Sequence, residues 1–363
     1  MRYFEQFRSN TLGGSGNQCY FSTEGKTESG RVYYRITAGG SYHYSILFSN
    51  IIDSTYADGT ISHKNLICDS WELFGARVGV CPAVPKPEEE APEVFLWKEL
   101  SFGGVNSLTV QPGGFFASDP VELKLEAGEY LCLETTFRGN MIPCHPESIL
   151  PVFRKTESGW APSKSLPVAS MVGCDRPVKA RIGYLGDSIT QGCGTPVNAY
   201  AHWNAVVSKM LGDDYAFWNL GIGFGRANDA ATDGAWLFRA KQNDLVVVCY
   251  GVNDIFRIGS AEQTKKDLKE IVDKLHAAGV KVMVQTVPPF DYGEEQTVIW
   301  REINRYILDE LSGQVEAVFD VVPVLGDTVS PEKARYGGHP DAEGCKAWAE
   351  ALYPVLKKLA ETL

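Results

Sequence analysis

Ser188 stands in the string Gly186-Asp187-Ser188-Ile189-Thr190, directly after an apolar run at residues 182–185. A serine hydroxyl becomes a useful nucleophile only when a base removes its proton. The oxyanion it creates on a carbonyl needs N–H donors already in place. The chain carries candidates for both, in order: Asn219-Leu220-Gly221-Ile222-Gly223-Phe224-Gly225, then Gly251-Val252-Asn253-Asp254, then His339-Pro340. A neutral imidazole can take the hydroxyl proton and return it to a leaving alcohol. The chemistry such a set supports is acyl transfer. Singly, each block is weak. Gly-Asp-Ser makes ordinary turns, Gly-Val-Asn-Asp reads as a plain turn after a strand, and a histidine after Gly337-Gly338 reads as a hydrogen-bonded loop residue. A dinucleotide phosphate loop is the rival reading of residues 221–225, but neither they nor Gly192-Cys193-Gly194 have GxGxxG spacing.

In order and spacing the four blocks resemble the SGNH (GDSL-type) hydrolase family. The resemblance implies Ser188 as nucleophile and His339 as base. It implies an oxyanion hole from the Ser188 backbone N–H, a backbone N–H of the glycine-rich turn, and the Asn253 side chain. Asp187 and Asp254 match the motifs in supporting positions, Asp254 holding its loop rather than reacting. The chain departs from the family pattern twice. Phe224 stands where the pattern has glycine, so the turn's donor is open among Gly223, Phe224 and Gly225. Tyr336 stands three residues before His339, where the family usually has aspartate. A neutral phenol does not stabilise an imidazolium as a carboxylate does. Three readings follow: a Ser–His dyad with the imidazole held by a backbone carbonyl, a carboxylate supplied from Asp327 or Glu332, or an impaired enzyme. Asp341 is close in sequence, but at a helix start its expected work is capping.

The elements that must position these residues fall into two halves. Residues 1–175 contain short β-rich runs at 31–36, 44–48, 108–110, 121–125 and 130–134, punctuated by Pro112-Gly113-Gly114 and Ala127-Gly128. This pattern predicts an antiparallel β-sandwich, with residues 85–92 as a solvated Pro/Glu-rich loop. Residues 176–363 alternate strand and helix. Apolar runs at 182–185, 216–220, 245–250, 280–287 and 315–321 read as parallel strands buried on both faces. Residues 261–278 keep helical spacing through Leu268, Ile271, Val272 and Leu275. A last helix from about Asp341 places Trp348, Leu352, Val355 and Leu359 on one face, with a kink expected at Pro354. The alternation predicts a doubly wound α/β domain. The family resemblance adds a flavodoxin-like three-layer α/β/α arrangement with a parallel sheet.

The first half carries a second resemblance. Leu47-Phe48-Ser49-Asn50, Leu100-Ser101-Phe102-Gly103-Gly104 and Ser118-Asp119-Pro120-Val121 are similar to the jelly-roll-like β-sandwich that precedes many two-domain hydrolases of this family. That layout is also similar to carbohydrate acetyl esterases. The expected activity is therefore ester hydrolysis through an acyl-enzyme, with a carbohydrate or other small ester as substrate. A lipid esterase or thioesterase is the alternative within the class. A non-catalytic carbohydrate binder on a degenerate hydrolase scaffold is the alternative outside it.

Composition bounds the partners. The formal net charge of −11 disfavours nucleic acid. No apolar run reaches the roughly 18 residues of a membrane span. The N-terminal residues show no apolar segment of a signal peptide. Nine cysteines without a CxxC pair read as reduced, mostly buried thiols in a cytoplasmic protein. Cys193 reads as a small packed side chain. No histidine pair has metal-ligand spacing, so neither a metal nor another cofactor is inferred. His145 reads as structural. Tyr200 and Trp203 read as core, with a wall of the acyl pocket as the alternative. Composition leaves the oligomeric state open.

Overall fold

A computed structural model describes residues 7–14, 16–53, 65–146, 149–167 and 170–363. Residues 1–6, on which part of the signal-peptide reading rests, lie outside the described residues. The chain divides into two compact units, Met1–Pro177 and Val178–Leu363.

The first unit is an all-β sandwich with two larger antiparallel sheets. One pairs Gly40–Ser49 with Ser170–Cys174, Phe115–Ala117 and Val121–Leu125. The other centres on Tyr130–Arg138, between Glu28–Arg35 and Trp71–Cys81. Alternation brings Tyr34, Ile46, Phe48, Val78, Leu131 and Leu133 into a buried interior. The sequence motifs of this unit are fasteners. The Asp119 carboxylate accepts from Ser101 Oγ at 2.6 Å and from the backbone N–H groups of Gly103 and Gly104. The Ser101 bond, then those of the glycines, hold it below the usual carboxylate range. Asn50 accepts from Trp71 Nε1 at 2.8 Å and donates to the Gln111 carbonyl at 2.7 Å. His145 is buried and its Nδ1 lies 2.8 Å from the Gly16 carbonyl oxygen, a structural contact. The 85–92 loop is only partly solvated. Pro85 is buried and the Pro92 carbonyl accepts from the Tyr33 hydroxyl, because the outer sheet face carries apolar rings that need cover.

The second unit is a parallel five-stranded sheet. Its strands are β1 (Ala180–Gly186), β2 (Tyr215–Gly221), β3 (Leu245–Cys249), β4 (Lys281–Gln285) and β5 (Ala317–Phe319). Their order across the sheet is β2-β1-β3-β4-β5, with every neighbour parallel. This is the flavodoxin-like order, with a switch point at β1 and β3. β2 and β3 are buried along their whole length, as strands covered on both faces must be.

The helices are α1 (Ser188–Gln191), α2 (Trp203–Leu211), α3 (Ala227–Ala230), α4 (Ala235–Ala240), α5 (Val252–Arg257), α6 (Ala261–Ala277), α7 (Glu294–Asp309), α8 (Val322–Leu325) and α9 (Ala342–Ala360). α2 packs with α9, and α6 packs with α3 and α7. The first contact centres on Trp203 and Trp348, whose rings stack at 4.7 Å, with Tyr184 edge-on to Trp203 at 5.3 Å. Trp203 is therefore core. Tyr200 is buried beside it in sequence, with a left-handed φ of 51°.

α9 runs on through Pro354, which lies on the exposed side, where water can satisfy the carbonyl that the missing N–H leaves unpaired. Its buried face is Trp348, Leu352, Leu356 and Leu359, so Leu356 takes the place expected for Val355. Steps of four residues keep the side chains stacked along one line.

Candidate active site

The carboxyl ends of β1, β2 and β3 lead directly into the three upstream blocks. β1 ends at Gly186, and α1 begins with Ser188. Asp187 caps α1, its Oδ1 accepting from the Ile189 N–H at 3.0 Å. The nucleophile candidate thus stands on the first residue of a helix whose cap is a buried carboxylate. α1 sits very close to β2. A Cβ on Gly221 would lie 2.1 Å from the Gln191 nitrogen, so only glycine allows this approach.

Residues 221–225 form a turn held from α1. Gln191 is buried, and its Oε1 accepts the Gly223 N–H at 2.5 Å. The Gln191 carbonyl accepts from Asn219 Nδ2 at 3.2 Å, and Asn219 Oδ1 accepts the Gly221 N–H at 2.9 Å. The Gly225 N–H donates back to the Ile222 carbonyl at 3.1 Å. Phe224, between these two glycines, is held at a left-handed φ of 61°.

The third block opens α5. Asn253 Nδ2 donates to the Gly225 carbonyl at 3.0 Å, tying this block to the glycine turn. Asp254 is fully buried, and its carboxylate accepts the N–H groups of Ala227 and Asn228. It therefore fastens the start of α3 to α5. Burial pushes both Asp187 and Asp254 up to about 7, and each carboxylate turns its oxygens toward backbone N–H groups.

The fourth block arrives from the loop before α9. His339 is exposed, and its Nε2 lies 2.8 Å from Ser188 Oγ across 151 residues of sequence. Asp341 caps α9 through the Gly344 N–H at 2.9 Å. The two acids weighed as replacements for the aspartate have other work. Asp327 accepts the N–H groups of Val329 and Ser330, which hold it below the usual carboxylate range. Glu332 accepts from Arg301 at 3.3 Å. Tyr336 packs against the first turn of α9, where a Cβ on Gly344 would meet its own Cβ at 2.5 Å.

The structure thus gathers Ser188, the 221–225 turn, Asn253 and His339, and it sets Asp187 and Asp254 beneath them as fasteners. Three further residues were not legible as site residues. Gln191 contacts the turn, Gly194 packs on the His339 main chain, and the Phe290 ring lies edge-on to His339 at 5.3 Å. Only Gly194 left a trace in sequence, as one of the paired glycines after Ser188. Cys193 is half-buried and accepts weakly from Gln191 Nε2 at 3.5 Å.

Residues 184–347 match the GDSL-like lipase/acylhydrolase family. No curated protein matches the chain by sequence. Among solved structures, a carbohydrate esterase family 3 protein from Talaromyces cellulolyticus is 19% identical, covering 51% of this chain and 99% of its own, with a TM-score of 0.39. The psychrotrophic esterase EstA from Pseudoalteromonas sp. is 17% identical over 50% and 98%, with a TM-score of 0.40. A family two carbohydrate esterase from Cellvibrio japonicus is 13% identical over 98% of both chains, with a TM-score of 0.38. Over residues 184–347, the chain is thus similar to the GDSL-like lipase/acylhydrolase family, in agreement with the order of its four motif blocks.

Proposed function

We propose that the chain hydrolyses a small ester, with an acylated carbohydrate as the first candidate, through an acyl-serine intermediate. One observation carries the reading: Ser188 Oγ lies 2.8 Å from His339 Nε2 at the carboxyl end of a parallel sheet. In the reacting tautomer the hydroxyl donates to Nε2. As Oγ attacks the carbonyl carbon, the proton passes to the imidazole, which then gives it to the departing alcohol oxygen. Water repeats the sequence on the acyl-serine and frees the acid.

The oxyanion of each tetrahedral intermediate is held by the Ser188 backbone N–H, by Asn253 and by the glycine-rich turn. One Asn253 N–H is anchored on Gly225, and the second serves the oxyanion. Gly223 donates its amide to Gln191 and Gly225 donates its amide to Ile222, and these bonds hold the turn in place beside α1. Such donors stabilise charge where it develops, without reorganisation at the moment of reaction.

The proposal includes a Ser–His dyad. The engagements of Asp327 with its own turn and of Glu332 with Arg301 support it over a relocated triad carboxylate. The test is pre-steady-state turnover of p-nitrophenyl acetate. A burst of nitrophenol near one equivalent per chain supports acyl-enzyme formation. Release at the rate of buffer alone would remove the reading and favour a binder on a hydrolase scaffold.

A further inference from the structure

His339 is bordered by an aromatic wall that the reaction itself does not need. The Phe290 ring meets His339 at 5.3 Å with an interplanar angle of 77°. Phe256, three residues after Asn253 on α5, meets Phe290 at 5.6 Å and Tyr292 at 5.6 Å. Tyr292 is buried and Phe290 half-buried, but Phe256 keeps 42% of its surface exposed. Gly338 opens space for this packing, since a Cβ there would lie 2.9 Å from Phe290. The rings therefore run from the imidazole outward to solvent.

The tetrahedral carbon carries four substituents: Oγ, the oxyanion, the acyl chain and the leaving oxygen. His339 must serve Oγ and the leaving oxygen, while the oxyanion faces Asn253 and the glycine turn. A surface continued outward from His339 is thus beside the alcohol half of the ester. We infer that Phe256 and Phe290 form the subsite for the leaving alcohol, and that this alcohol bears a flat ring with an apolar face. An aryl ring or the C–H face of a pyranose has that chemistry, and either can lie against phenyl rings. The inference rests on the esterase reading above and adds the alcohol class to it.

All acetyl esters share one acyl-enzyme, so deacylation is common to them. Recognition of the alcohol therefore shows in kcat/KM, which reports acylation. The test measures kcat/KM of the full-length protein for ethyl acetate, phenyl acetate and an acetylated methyl glucopyranoside. It repeats these for Phe256→Ala and for Phe256→Leu, which keeps apolar volume and removes the flat ring. It adds ethyl butyrate and ethyl hexanoate to read the acyl side.

The expected result is that both variants lower the ratio of ring-bearing to ethyl ester by about five- to tenfold, as loss of one ring contact would. Phe256→Tyr should restore that ratio. A fall confined to phenyl acetate assigns the subsite to aryl alcohols, and a fall confined to the sugar ester assigns it to pyranoses. An equal fall for all three alcohols, no fall for any, or an altered acyl-length profile would overturn the inference. Wild-type turnover of any of the three acetates reports the esterase reading by itself; if all three are left uncleaved, that reading fails and takes the subsite with it.

Discussion

Gly194 lies against the main chain of His339. A Cβ at position 194 would stand 2.7 Å from the His339 carbonyl oxygen and 2.9 Å from that of Pro340, and the residue's φ is 96°. The loop after α1 thus sets how closely the histidine loop approaches Ser188. Gly194→Ala must move one loop or the other and also strains its own backbone. Since a displacement near 1 Å can cost about 10²-fold in rate, kcat should fall by roughly ten- to a hundredfold with KM nearly unchanged. Steady-state kinetics beside a melting curve check this. A fall in Tm with unchanged kcat in the folded fraction would contradict it.

Gln191 extends the same logic to the 221–225 turn, the proposed oxyanion donor. Gln191→Leu leaves the buried Gly223 N–H without its acceptor, at a cost of about 1–3 kcal/mol in stability. The expected kinetic signature is a loss in kcat with little change in KM, because the turn acts on charge that exists only in the transition state. Gln191→Glu retains an acceptor oxygen and should recover part of kcat. Equal losses in Leu and Glu variants would argue that only the fold is served.

The dyad makes a prediction of small effects. Tyr336→Phe, Asp327→Ala and Glu332→Ala should each lower kcat by less than about tenfold, against the roughly 10⁴ seen where a true triad aspartate is lost. A loss of that larger size at either acid would show that the carboxylate has moved along the loop.

Asp187 and Asp254 predict a pH dependence of stability. An unperturbed aspartate titrates near 3.8, and burial raises each of these two to about 7 in the folded chain. Between these limits the folded state holds protons that the unfolded state releases, so stability falls as pH rises from about 4 to about 7 and levels off above. Asp254→Asn removes one of the two groups while keeping an acceptor oxygen for the start of α3. The wild-type Tm should therefore drop more between pH 5 and pH 8 than that of Asp254→Asn. Parallel curves would contradict the assignment.

Much of the second unit was legible because a parallel strand covered on both faces must be apolar throughout. The readings at 280–287 and 315–321 overran the strands Lys281–Gln285 and Ala317–Phe319 because Val287 and Val321 are buried beyond the ladder. Apolarity reports burial, and hydrogen bonding ends the strand. The helix Ala261–Ala277 was legible from periodicity, whereas the choice between Val355 and Leu356 depends on where α9 meets α2. The proposed reacting groups, Ser188 and His339, were legible as motif residues. Their supports were not. Gln191, Gly194 and Phe290 act through contacts spanning 32, 145 and 49 positions, and no local pattern encodes such pairings.

The central claim is that Ser188 is the residue acylated, with His339 as its base. The most direct measurement is mass spectrometry of peptides after reaction with an alkyl fluorophosphonate, run on wild type, Ser188→Ala and His339→Ala. The account predicts one stoichiometric adduct on Ser188 in the wild type, none in Ser188→Ala, and markedly slowed labelling in His339→Ala. A stoichiometric adduct on any other residue, or labelling of Ser188 at the wild-type rate without His339, would contradict it.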